Sequence, residues 1–296
     1  MPEPGFQNET LKRALQEALA GRPAELERLL ARLGAVIASR PNLRLAAAFG
    51  AEVADVPDAA PLLKRLGDED AAPDTDRAFL PIAAAHGWAA RVRAGRDVNR
   101  GWAALAGLAA DERAAVRVGT LDALVGLARV DGGAATLIAR ATGWLDDSDR
   151  EVRFGTAAVV SDVLSDARVF ASIKDPAPLL AYLDRAIAEI ADAPRSAERS
   201  DGRRRLLLGL SGVLRLVAKS NLPETRTWFE ATCENADHPD VRKVLSDTIV
   251  KLATGPEASS KAEELRKTLE ESAKPLRDPT RLRAGTGRGK ASRRTR

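Results

Sequence analysis

The stretch DSDREVRFGTAAVV (147–160) has a near copy 36 positions upstream, DERAAVRVGTLDAL (111–124). Aligned without a gap, Asp147, Val152, Arg153, Gly155 and Thr156 fall on Asp111, Val116, Arg117, Gly119 and Thr120. Each copy reads as a short acidic turn, an apolar residue, an arginine, then an apolar run. Such a string is either a catalytic signature used twice or one structural unit laid down in series. The residue types favour the unit. Aspartate at a helix start accepts hydrogen bonds from unpaired backbone N–H groups and suits the positive end of the helix dipole. The arginine in the first turn is placed to bridge to the aspartate of the next copy, giving a ladder of ion pairs. Gly119 and Gly155 each cost a helix about 1 kcal/mol relative to alanine, which closer helix–helix approach can offset.

Weaker copies follow the same plan: PNLRLAAAFGAEVA (41–54), DTDRAFLPIAAAHG (74–87), DGRRRLLLGLSGVL (201–214) and HPDVRKVLSDTIVK (238–251). Their arginines, Arg44, Arg77, Arg117, Arg153, Arg204 and Arg242, step by 33, 40, 36, 51 and 38 residues. A shorter amphipathic segment precedes each copy, as in LPETRTWFEATCEN (222–235). Apolar residues recur with helical spacing, for example Leu26, Leu29, Leu30, Leu33 and Ile37, and alternating strand patterns are absent. Prolines such as Pro23, Pro41, Pro57, Pro176, Pro223 and Pro239 stand at the breaks. Two helices in each unit of about 40 residues, six times over, predict an all-α solenoid.

The Asp–Val–Arg pattern followed by an apolar helix resembles the second helix of HEAT repeats. DERAAVRVGTLDAL, DSDREVRFGTAAVV and DHPDVRKVLSDTI (237–249) carry it most clearly. The resemblance implies a right-handed α–α superhelix of the HEAT/armadillo type with a concave surface built from second helices. It places about six repeats within 22–255 and capping helices near 8–20 and 258–272. The domain boundaries read as 1–272 for the helical repeat domain and 273–296 for a disordered basic tail. The structural ladder would comprise Asp111, Arg117, Asp147, Arg153, Asp237 and Arg242.

Charge is divided unevenly. From Ala273 onward nine Lys/Arg face one acid, a net of +8, so the preceding 272 residues carry −4. The pI of 9.4 belongs to the tail. Aromatics make up only 4%, which predicts closely packed helices of Ala, Leu and Val. The single cysteine, Cys233, excludes an internal disulfide and fits a reducing compartment. The opening MPEPGFQNETLKRALQ has no apolar h-region. No apolar run reaches the ~20 residues a membrane helix needs. The expectation is a soluble, cytoplasmic, monomeric protein without a membrane partner.

Catalytic and metal-binding signatures are weak. His86 and His238 are isolated in sequence, and Cys233 lies near His238 without further clustered ligands. The tail string GTGRGKAS (285–292) lacks the strand, helix and Ser/Thr of a phosphate loop. We therefore assign no catalytic residue, metal or cofactor from the sequence. Basic residues are the binding candidates: Arg195, Arg199, Arg203, Arg204 and Arg205 in a long interhelix loop, and Arg288, Lys290, Arg293 and Arg294 in the tail. A second basic cluster comprises Arg91, Arg93, Arg96 and Arg100. Trp144 and Trp228 fall in first helices, where packing is the expected role.

Segments 143–159 and 211–230 also resemble the HEAT-like DNA alkylation-repair glycosylases. That resemblance implies a concave basic groove in which tryptophans and an aspartate cradle an alkylated nucleotide. The family's catalytic aromatic falls at Gly212 here. The leading expectation is thus a non-catalytic scaffold that binds a protein partner on its concave surface. The alternative is a DNA-binding alkylation-repair-type protein that reaches nucleic acid through the tail and the 195–205 loop.

Overall fold

In the computed structural model, which describes residues 4–34, 40–252 and 256–273, every regular element is helical, with no strand among the described residues. Helix α1 (Pro4–Leu19) leads into a series of pairs: α2 (Ala24–Gly34) with α3 (Leu43–Val53), and α4 (Ala60–Gly67) with α5 (Leu80–Arg93). Next come α6 (Val98–Ala110) with α7 (Ala114–Ala128), then α8 (Gly133–Trp144) with α9 (Arg150–Leu164). A short α10 (Ala167–Ala171) precedes α11 (Ala177–Ala191) and α12 (Asp201–Lys219). Helices α13 (Pro223–Asn235), α14 (Pro239–Val250) and α15 (Pro256–Glu271) complete the chain. Every motif copy opens the second helix of a pair. Those second helices pack side by side in chain order, α3 on α5, α5 on α7, α7 on α9, α9 on α12 and α12 on α14. The tail from residue 274 lies outside the described residues, with its candidates Arg288, Lys290, Arg293 and Arg294.

The motif aspartates act slightly ahead of the helices. Asp111 Oδ1 accepts from the Arg113 amide at 2.8 Å, and Asp147 Oδ1 accepts from the Asp149 amide at 2.8 Å. Both therefore close the interhelix turn, while Asp149 caps α9 itself by accepting from Glu151. The shared threonines are buried and donate to the carbonyl four residues back, Thr120 to Val116 and Thr156 to Val152. That bond satisfies a hydroxyl which burial would otherwise strand.

The ion-pair ladder takes a different form from the one expected. Arg117 and Arg153 each donate through Nη1 to the carbonyl six residues back, Asp111 at 2.8 Å and Asp147 at 2.6 Å. Arg242 does the same to Ala236 at 2.8 Å. These arginines thus tie down carbonyls left unpaired in the turn before their own helix, a local job that carbonyl geometry favours. Links between pairs come from Arg153 itself, to Glu189 (2.9 Å), and from other groups: Arg113 to the Glu69 carbonyl (2.7 Å), Arg185 to the Thr142 carbonyl (2.9 Å) and Trp228 to Asp184 (2.8 Å). Their partners lie 36, 44, 43 and 44 residues apart, close to one motif step.

Glycines set the spacing between neighbouring helices. A Cβ on Gly119 would stand 2.4 Å from Ile82 Cγ2 of α5, and one on Gly155 would stand 2.9 Å from the Cα of Ala110. On α12, a Cβ at Gly202 would meet Phe154 at 2.9 Å and one at Gly209 the Ala158 carbonyl at 3.0 Å. Gly155 faces main chain, which cannot swing aside. Gly155→Ala is therefore expected to lose about 2 kcal/mol, because overpacking outweighs the ~1 kcal/mol gain in helix propensity. Urea denaturation followed by circular dichroism checks this, and an unchanged or raised midpoint would refute the close-approach role.

Helix α5 is recessed. All residues from Leu80 to Arg91 are buried, including His86 and Arg91. With α3 and α7 on either side and α4 and α6 also packed against it, this Ala-rich helix is enclosed by its neighbours.

Candidate binding surface

The second helices share one face, and its centre lies where α7, α9 and α12 meet. The glycine contacts draw α12 close to α9, which brings Asp162 of α9 beside Gly209; a Cβ there would be 3.1 Å from Asp162 Oδ1. Around it, Arg117, Val118 and Leu121 of α7 and Arg205 and Leu208 of α12 line a recess of about 200 Å³. Leu208 is 76% exposed and Val118 40%, an unusual display for large aliphatic side chains beside one another. Farther along the row, Val250 of α14 is 69% exposed.

Asp162 stands out chemically. Water reaches its carboxylate from the open side, yet the flanks of three helices fill the rest of its surroundings. That loss of hydration pushes its pKa up to about 6. The neighbouring Arg117 is pulled below its ordinary value, first by burial and then by Arg205. A raised carboxyl binds its proton more tightly when folded, so it weakens the fold as pH rises from 3.8 through about 6. Asp162→Asn is accordingly expected to stabilise the protein at about pH 7.5 by roughly 1 kcal/mol, a figure discounted for solvent access. It should have no effect near pH 3.5. Equal effects at both pH values, read from thermal melts, would contradict this.

The sequence candidates divide sharply. Arg195 and Arg199 are exposed in the segment leading into α12, and Arg204 is exposed in its first turn. Arg205 is half-buried and reaches the Asp201 carbonyl at 3.3 Å. Arg203 is a correction: it turns inward, with a side chain only 3% exposed, and pairs with Asp240 of α14 at 2.7 Å. Helical rotation explains the split, since the same turn that points Gly202 at α9 carries Arg203 into the α12–α14 seam. The loop before it is pinned rather than loose, because Ser200 caps α12 and donates to Glu151 at 2.9 Å. The other basic cluster also dissolves. Arg91 is buried and bonded to Asp97, while Arg93, Arg96 and Arg100 remain on the surface.

The tryptophans pack. Trp88 and Trp102 are each 4% exposed, and Trp102 meets half-buried Trp144 with ring centroids 6.0 Å apart. Trp228 donates its indole N–H to Asp184. A Cβ at Gly212 would come 2.4 Å from Ser165 Oγ, so an aromatic has no room there in this packing. His238 caps α14 by accepting from the Asp240 amide at 3.2 Å. Cys233 is buried, and burial pushes its thiol up to about 12. The described residues contain no group of three or more His, Cys, Asp or Glu placed to hold a metal ion. No helix among them is long and apolar enough to cross a membrane.

Away from this face, α4 and α6 flank a mostly apolar groove of about 690 Å³ above Trp88. Sequence reasoning missed Asp162 and Leu208. Leu208 had a signal: three consecutive leucines, 206–208, cannot all face the core of one helix. No protein-family model matches the chain, and no curated protein matches its sequence significantly.

Proposed function

We propose that this protein is a non-catalytic scaffold, a HEAT-like solenoid of about six helix pairs that offers the face of its second helices to a protein partner. Support for the solenoid comes from the serial packing of α3, α5, α7, α9, α12 and α14 and from polar links one motif step apart. In such a stack each pair buries its apolar side against its neighbours and leaves a long surface for recognition. The observation that carries the reading is the exposed Leu208–Val118 patch flanked by charges of both signs, Arg117, Arg205 and Asp162. A desolvatable apolar centre with a polar rim is the usual anatomy of a protein interface. Nucleic acid instead favours many positive charges in one track, and here acids interrupt the track.

The test is affinity capture with crosslinking, comparing wild type with Leu208→Asp. A protein retained by the first and lost from the second supports the reading. Electrophoretic shifts with duplex DNA, using the full chain and one ending at residue 272, address the alternative. Binding by the shorter chain at low salt would replace the protein reading with DNA. Binding by the full chain alone would make the tail a nonspecific anchor.

A further inference from the structure

Beside the Leu208 patch, α7 also borders a second, smaller recess. Leu121 faces the first, and the next residue, Asp122, faces the second. This recess, about 150 Å³, lies over buried α5 between α3 and α7, with alanines and Gly126 as its walls. Its size suits the tip of a side chain.

His86 lines it. The side chain is only 7% exposed, and its Nε2 is buried without a hydrogen-bond partner. The Gly119 carbonyl favours a proton on the imidazole, and with Nε2 unpartnered we assign that proton to Nδ1. Nε2 then presents a lone pair. Asp122 Oδ2, on a side chain 49% exposed, stands 3.6 Å away, and Arg129 bonds Asp166 at 2.6 Å. Burial holds His86 below its ordinary pKa, although Asp122 and the Gly119 carbonyl oppose that shift, so the ring is neutral at physiological pH. Two acceptors therefore face one cavity with no donor between them. A buried polar atom left in this condition costs about 1–3 kcal/mol, and a ligand that donates to both removes the cost. Exposed Arg93 at the rim adds a positive charge beside the entrance.

We propose that this recess anchors a basic side chain, lysine or arginine, of the protein partner, with an acidic neighbour in the same segment meeting Arg93. The inference deepens the reading of this face as a protein-binding surface and rests on it.

The chain has only two histidines, so ¹⁵N-histidine NMR reports His86 directly, with His238 as an internal control. N-acetyl-lysine methylamide, titrated into the full-length protein, is expected to move the His86 Nε2 resonance saturably and leave His238 unmoved. The uncharged norleucine derivative, one heavy atom shorter, should move neither. Asp122→Asn should weaken the response about ten-fold, because a charge-assisted bond becomes a neutral one. Gly126→Met should abolish it; a Cβ at that position meets nothing within 4 Å, so the variant fills the recess without disturbing the fold. A His86 signal that ignores the lysine probe, or responds equally to norleucine, overturns the inference. So does partner capture that survives Asp122→Asn and Gly126→Met while being lost from Leu208→Asp, an outcome that leaves the broader reading standing.

Discussion

Arg91→Met should lower the unfolding free energy by about 3–4 kcal/mol. The guanidinium, with its side chain only 4% exposed, makes four hydrogen bonds: two to Asp97 Oδ2 at 2.9 and 2.5 Å, and one each to the carbonyls of Val53 at 3.0 Å and Val56 at 2.5 Å. One side chain thereby ends α3, holds the segment after it and anchors the turn into α6. Asp97 itself sits in the left-handed region at φ +46°, a conformation a non-glycine residue keeps only when its surroundings enforce it. Methionine fills similar space but donates nothing. Two carbonyls and a carboxylate then lose their partner together, and water can reach only some of them. A urea midpoint that moves by less than the equivalent of about 1 kcal/mol would show that the cluster is incidental.

The second large effect is expected at Asp240→Ala. The substitution leaves the Arg203 charge inside the α12–α14 seam, where Nε already lacks a partner and the next contact, the Ile190 carbonyl, is 3.5 Å away. Breaking a buried pair from one side costs about 3–5 kcal/mol. Asp240 is partly solvated, so the low end of that range applies, a fall of about 6–12 °C in melting temperature for a chain of this size. Arg203→Leu should cost less, because it removes the buried charge and leaves unpaired only the partly solvated Asp240 carboxylate. The double variant should recover most of the loss. Melting temperatures around the four-member cycle test this, and simple additivity of the two single effects would mean that the ions do not interact.

How much of this was legible in the sequence depends on which property is asked for. The motif copies marked every second helix, because their acidic turns and helical periods are local and leave a trace in residue order. The capping segments near 8–20 and 258–272 correspond to α1 and α15 for the same reason. What the motif arginines bind was read only in part, since an ion pair and a carbonyl contact demand the same residue at the same place: Arg153 reaches an acid one step on, Glu189, and also holds the Asp147 carbonyl. Among Arg203, Arg204 and Arg205, the choice of which turns inward follows from the phase of α12, set by Gly202 and Gly209 against α9. The recess at His86 joins residues 36 positions apart, and nothing near either one announces the other. Asp162 is an exposed acid within VVSDVL, and its raised pKa comes from neighbours on two other helices.

The enclosure of α5 has a kinetic consequence. Its amides can trade protons with heavy water only when four flanking helices part from it, a rearrangement close to global unfolding. The slowest deuterium uptake should therefore concentrate in residues 80–91 and set an upper bound near the whole-molecule stability. Uptake should quicken toward α1 and α15, each of which has packing partners on one side of the row. A protein built this way can loosen at its extremities while its middle keeps a fixed shape.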